Sequence, residues 1–227
     1  MRNEPDRRHA LVLALAGAGT LAACAREHGA DDVSATEDLM REHGVLRRIL
    51  VIYREGARRL RAGSALDAGA IAGAATLFRT FGEDYHEQKL EEEHILPSVL
   101  RAGGAASALV GPLLAQHRRG REINLFLVEQ CRTGRVASAR TAAVADALDG
   151  FARMYEEHSA LEDTIVFQTW KKALGPRALD ETGELFERIE REQFRGDGFE
   201  LALAEVDRIE RRFGLPDLAG FTAPVAA

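Results

Sequence analysis

Residues 151–167 read FARMYEEHSALEDTIVF, and they combine an apolar helical stripe with two residue types that bind metals. Spacings of three and four residues place five of these side chains on one face of an α-helix: Phe151, Tyr155, His158, Glu162 and Ile165. His158 and Glu162 therefore lie one turn apart on the face expected to pack into a core. Because a buried carboxylate without a positive partner is costly, the pattern predicts either an exposed pair or a cation beside it.

Helical periodicity extends outward from this stretch into four long segments. The segment that contains it covers about 138–174, and the three before it cover about 34–62, 68–101 and 107–133. Short connections between long helices make consecutive helices antiparallel. The chain is therefore predicted to be all-α, with an up-down-up-down four-helix bundle over residues 34–175.

Two shorter helical patterns follow the bundle, at about 178–195 and 198–213. They predict a C-terminal helical extension, residues 176–227, that packs on the bundle as a cap. The 227 residues are 46% hydrophobic and 29% charged, which is typical of a globular protein. The formal charge of −6 argues against the basic face of a nucleic-acid-binding protein, so we expect no nucleic-acid partner.

The N-terminus has the three parts of a secretory signal. Three arginines precede an apolar run of 14 residues, Ala10 to Ala23, which is too short to span a membrane. The run ends in Leu-Ala-Ala-Cys, which resembles the lipobox of bacterial lipoproteins. We therefore expect a signal over 1–23, a lipidated Cys24 and a tether over 24–33, with membrane contact through the lipid anchor only. The exported chain would sit on the outer face of the cytoplasmic membrane or in the periplasm; ordinary cleavage after Ala23 and an uncleaved anchor are the alternatives.

The second cysteine, Cys131, follows an apolar run, so we expect it to be buried in the core.

Histidines recur on the inward stripes of the predicted helices. His43, His117 and His158 each fall among leucines or aromatic residues, and the second helix adds His86 followed by several glutamates. One such histidine would be as well explained as a hydrogen-bonded core residue. Three converging helices favour a metal, because imidazole and carboxylate donors suit iron, manganese or zinc. Paired Glu and His on bundle helices are the recurring ligands of di-iron centres.

The order of these motifs resembles that of the hemerythrin-like family. The resemblance covers residues 34–175 and rests on His43 in the first helix, YHEQKLEEEHILP in the second, QHRRGRE in the third and HSALEDTIVF in the fourth. The family pattern is a His, then His-x-x-x-Glu, then a His, then His-x-x-x-Glu or Asp. The resemblance implies a di-iron centre in which the terminal ligands are His43, His86, His117 and His158. Glu162 and a glutamate of the second helix would bridge the irons.

The second helix departs from the family spacing, because Leu90 stands four residues after His86. A π-bulge would bring His86 and Glu91 onto one face, and we favour this pair. Glu87 with Glu91, also four apart, is the next alternative, and Glu92 is the third.

The third helix departs as well, since oxygen-carrying members have two histidines four apart whereas Leu113 and Arg121 flank His117. The site should be more open or richer in carboxylates, which argues against simple reversible oxygen carriage.

The resemblance implies a non-haem di-iron protein that binds or senses dioxygen or a related small molecule, with zinc or manganese as possible metals. Phe81, Phe151 and Ile165 are expected to shield a bound ligand from bulk water. One alternative is a di-iron peroxidase or oxidase. The other is a metal-free helical lipoprotein that serves as an interaction module.

Overall fold

The first bundle helix begins at the serine cap that the sequence predicts. In the computed structural model, which describes residues 33–215 and 217–223, helix α1 covers Ala35–Arg61. The Ser34 hydroxyl accepts a hydrogen bond from the Glu37 amide at 3.3 Å, which satisfies one of the free donors of the first turn. The helix ends before Gly63, whose φ of 63° is a left-handed value that glycine adopts without strain.

The other bundle helices mix α-helical and π-helical geometry. The second is built from α2 (Ala68–Leu77), π1 (Phe78–Ile95) and α3 (Leu96–Ala102). The third is α4 (Gly104–Cys131). The fourth follows a short 3₁₀ turn (Ser138–Arg140) and is built from α5 (Thr141–Leu161), π2 (Glu162–Val166) and α6 (Phe167–Leu174).

Neighbouring bundle helices run antiparallel. In each pair of helices, residue numbers rise along one helix as they fall along the other. The first and second helices meet at Glu42–His86 and Gly56–Ile71, and the second and third at Glu83–Asn124 and Glu92–His117. The third and fourth meet at Gln116–His158 and Gly120–Tyr155, and the first and fourth at His43–Asp163 and Arg61–Asp149. The predicted all-α, up-down-up-down four-helix bundle is confirmed.

The π-helical segments change which residues face the core. Ile165, predicted to face inward, is 37% exposed, whereas its neighbour Val166 is fully buried. The prediction for Ile165 was wrong because it assumed α-helical geometry, while π2 has the wider i→i+5 turn. The other predicted members of this stripe, Phe151, Tyr155 and Glu162, are buried.

Two further helices, α7 (Pro176–Phe194) and α8 (Gly198–Phe213), pack against the bundle. The ring of Phe194 lies 5.1 Å from that of Tyr85, and Arg48 on α1 donates to Glu210 on α8 at 2.9 Å. A last 3₁₀ turn covers Leu218–Phe221. The predicted C-terminal extension is therefore helical and contacts the bundle.

Cys131 is fully buried with a free thiol, as expected, and burial raises its pKa to about 11. Among the helices in the described part of the chain, none combines the length and apolar character that crossing a membrane requires. The predicted signal, Cys24 and nearly all of the tether lie outside the described residues.

Gly120 allows α4 to approach the fourth helix closely. A Cβ atom at this position would stand 2.5 Å from the hydroxyl oxygen of Tyr155. Gly120→Ala should therefore lower the free energy of unfolding by about 1–3 kcal/mol, measured by denaturant unfolding, because the side chains must shift. Gly150→Ala is the matched control, since its Cβ meets nothing within 4 Å. The control should gain roughly 0.5–1 kcal/mol from the better helix propensity of alanine. Equal gains in both variants would contradict the tight contact.

Candidate metal centre

Six buried side chains from the four bundle helices converge at one point of the core. Each is at most 2% exposed, and they are His43, His86, Glu91, His117, His158 and Glu162. Two overlapping groups of ligand atoms lie within 4.8 Å of one another: Glu91, His117, His158 and Glu162 in one, and His43, His86 and Glu91 in the other. Every helix of the bundle therefore contributes a histidine to the same point.

The histidines form two pairs across the core. The Nε2 atoms of His43 and His86 lie 3.0 Å apart, and those of His117 and His158 lie 3.2 Å apart. Each pair joins two neighbouring helices, so the centre is held by the packing of the whole bundle.

Each of the two glutamates, Glu91 and Glu162, faces one histidine of the first pair and one histidine of the second pair. Glu91 places Oε1 at 3.5 Å from His86 Nε2 and Oε2 at 3.3 Å from His117 Nε2. Glu162 places Oε2 at 3.0 Å from His158 Nε2 and 3.5 Å from His43 Nε2. Each carboxylate is thus placed where it could interact with ions held by both histidine pairs.

The ring nitrogen on the far side of each imidazole meets an oxygen acceptor. The Nδ1 contacts are His43 to Asp163 at 2.7 Å, His86 to Glu42 at 2.5 Å, His117 to Glu92 at 2.9 Å and His158 to Gln116 at 2.9 Å. Because these oxygens accept, each Nδ1 carries a hydrogen and each Nε2 faces the centre. Within each pair the two Nε2 atoms are so close that a proton or a cation must lie between them.

Three of these outer acceptors, Glu42, Gln116 and Asp163, were not predicted from the sequence, and Glu92 was predicted only as a possible ligand. Glu42 directly precedes His43, Gln116 directly precedes His117, and Asp163 directly follows Glu162. Residues one position from a ligand point away from it on a helix, so only the packing of a neighbouring helix brings them to an imidazole. The acceptors are themselves held: Tyr85 donates to Glu42 at 3.0 Å, Arg121 donates to Glu92 at 2.7 Å, and Arg47 pairs with Asp163.

The glutamate oxygens test whether the site fits metal ions. All four carboxylate oxygens of Glu91 and Glu162 are buried without a hydrogen-bond partner. Burial raises the pKa of Glu162 to about 8, and the facing charge of Glu91 adds to the effect. Burial also opposes ionisation of Glu91, yet the imidazoles of His86 and His117 hold its pKa well below the usual range. Cations between the pairs would satisfy both carboxylates, so the donor set fits metal ions.

The three glutamates considered as ligands from the second helix, Glu91, Glu87 and Glu92, lie at different places around the centre. Glu91 lies between the histidine pairs, as favoured, because π1 brings His86 and Glu91 together despite their spacing of five. Glu87 lies beside the centre: it accepts a hydrogen bond from Tyr155, and its Oε2 is 3.4 Å from Arg121 without hydrogen-bond geometry. Glu92 meets the outer nitrogen of His117. Their roles as metal ligands stay predictions.

Comparison with known proteins agrees with this arrangement. The Hemerythrin HHE cation binding domain matches residues 34–170. The chain belongs to this family. Uncharacterized proteins of Mycobacterium bovis and Mycobacterium tuberculosis are 37% identical to it over 241 aligned positions, which cover 95% of this chain and 90% of each relative. No solved structure gives a significant match.

A small cavity adjoins the centre of this HHE domain. Its volume is about 10 Å³, close to that of one water-sized molecule. Beside the candidate ligands, its walls include Leu46, Leu50, Phe78, Glu87 and Tyr155. None of the three residues predicted to shield the ligand is among these cavity walls: Phe81 and Phe151 are buried in the core, and Ile165 is exposed.

His94 lies away from this cavity and packs against Phe186, with ring centroids 5.7 Å apart.

Proposed function

We propose that this HHE domain holds two metal ions, iron by preference, between its histidine pairs. The proposal rests on the four carboxylate oxygens of Glu91 and Glu162, which are buried without hydrogen-bond partners. Each of these glutamates faces one histidine of each pair. Imidazole and carboxylate donors suit iron, with manganese and zinc as competitors. When bound, two ferrous ions would supply electrons and open coordination positions for a small ligand.

We further propose that dioxygen or a related small molecule is the ligand. The cavity of about 10 Å³ has room for about one water-sized molecule and none for an organic substrate, so a small ligand is the one that it favours. Leu46, Leu50 and Phe78 give it apolar walls, Glu87 with Tyr155 gives it one polar wall, and Arg47 with Ser159 gives it another.

The polar wall supports a second candidate, a di-iron peroxidase or oxidase. The Tyr155 hydroxyl donates to Glu87, and both side chains line the cavity beside the centre. Such a pair favours turnover over simple storage, because general acid–base groups beside a reacting atom speed proton transfer.

We propose an exported, lipid-anchored chain on the strength of the N-terminal pattern, which ends in Cys24. In a bacterial host, the full-length protein should enter the membrane fraction and take up a labelled fatty acid. Cys24→Ser should abolish both. Cys131→Ser is the matched control and should leave both unchanged, since that thiol is buried in the bundle. A soluble, unlabelled wild-type protein would contradict the lipid anchor.

Iron content tests the metal centre. Protein purified without chelators and loaded anaerobically should retain about two irons per chain. Glu162→Ala should retain less than half of that amount, because it removes a carboxylate that faces both histidine pairs. His94→Ala is the control and should retain the wild-type amount. Circular dichroism verifies that each variant is folded. If wild type and Glu162→Ala retain equal iron, the centre is not where we place it.

An optical titration of the ferrous protein with oxygen tests the ligand. We expect new absorption bands on oxygenation that need the full iron content. Leu50→Phe should weaken or slow this change at unchanged iron content, because the larger ring fills the cavity. Reversal on removing oxygen supports binding or sensing. Steady consumption of peroxide with an electron donor, reduced in Tyr155→Phe, supports the enzyme instead. An iron-loaded protein inert to both oxygen and peroxide would contradict the proposal.

A further inference from the structure

We propose that the two metal positions bind their ions with unequal affinity, and that the position at His43 and His86 is the tighter one. The inference rests on the proposed function, since it requires two ions in the centre. The direct donors give no reason for a difference, because each histidine pair faces the same two glutamates. The difference lies one layer further out, in the groups to which the imidazoles donate.

Two buried carboxylates support the first pair. His43 donates to Asp163 at 2.7 Å, and His86 donates to Glu42 at 2.5 Å. Glu42 is 1% exposed, and its other oxygen accepts from the neutral hydroxyl of Tyr85. Its negative charge is therefore directed at His86, whereas Asp163 shares its charge with Arg47.

The second pair has weaker support. His117 donates to Glu92, but the same oxygen of Glu92 accepts from Arg121 at 2.7 Å. His158 donates to the side-chain oxygen of Gln116, a neutral amide. One shared carboxylate and one amide thus take the place of the two carboxylates behind the first pair.

This contrast affects affinity because the outer partner sets the donor strength of the ring. An imidazole that donates Nδ1–H to an anion carries more negative charge on Nε2 and binds a cation more strongly. Changes in such partners alter metal affinity by about 10–100-fold. Since the second pair lacks one of the two anions, it should bind its metal ion with an affinity lower by at least about 10-fold.

Glu87 is the group that could offset the difference. It lies on the side of His117, with which it forms a third group of potential ligands together with Glu92. However, one oxygen of Glu87 accepts from Tyr155, and the other lies 3.4 Å from the guanidinium of Arg121. Tyr155 and Arg121 share the charge of Glu87, but that charge also acts on His117, and the experiment therefore includes the removal of Glu87.

The test is an anaerobic titration of the metal-free full chain with Co²⁺, followed by visible absorption and calorimetry. The wild type should bind two ions in separate steps. Gln116→Glu should strengthen the weaker step by about 10-fold and leave the tighter step unchanged, because it places a carboxylate behind His158. Glu42→Gln should instead weaken the tighter step. Ala115→Glu adds the same charge at an exposed neighbouring position and should change neither.

Three results would overturn the inference: equal steps in the wild type, no effect of Gln116→Glu beyond that of Ala115→Glu, or loss of the difference in Glu87→Gln. Binding of fewer than two ions by the wild type would instead contradict the proposed centre itself, so the two failures are distinguishable. If Glu42→Gln does not fold, Gln116→Glu at the half-exposed Gln116 still decides the outcome.

Discussion

Two glutamates buried among four imidazoles impose the constraint on which this structure depends. Leaving Glu91 and Glu162 in the core without cations would expose four orphaned carboxylate oxygens to a low-dielectric interior, at a cost of several kcal/mol per charge. Each of the four helices places a histidine at this point, and these histidines are the groups that face the two carboxylates. The most polar part of the core is thus the part that ties all four helices together.

The layer around the imidazoles turns these side chains into a site of defined geometry. Four oxygen acceptors fix the ring orientations, and two arginines and a tyrosine hold three of these acceptors in turn. Arg121, one helical turn after His117 on α4, interacts with Glu87 and Glu92. A cation of the chain itself therefore stands beside the centre and shares the charge of these two carboxylates.

The π-helical segments decide which residues face the core at two places in the bundle. In π1 the wider turn brings His86 and Glu91 together across five residues, which the mismatch in the motif had suggested. In π2 the same geometry exposes Ile165 and buries Val166. The motif of the fourth helix has the regular spacing, so the sequence did not indicate this π segment. A π segment is visible in sequence only when it disturbs a pattern that is otherwise strict.

The sequence by itself predicted the four-helix bundle and its antiparallel order, and the family resemblance added four histidines and Glu162, with the glutamate of the second helix left open among Glu91, Glu87 and Glu92. It could do so because helical periodicity and short connections are local properties of the chain. Only the tertiary structure decided that Glu91 lies between the histidine pairs, that Glu42, Asp163, Glu92 and Gln116 stand behind them, and that the cavity is lined by Leu46, Leu50 and Phe78. These contacts join residues on different helices, and the relative rotation and register of packed helices are set by the fit of whole surfaces rather than by any one segment.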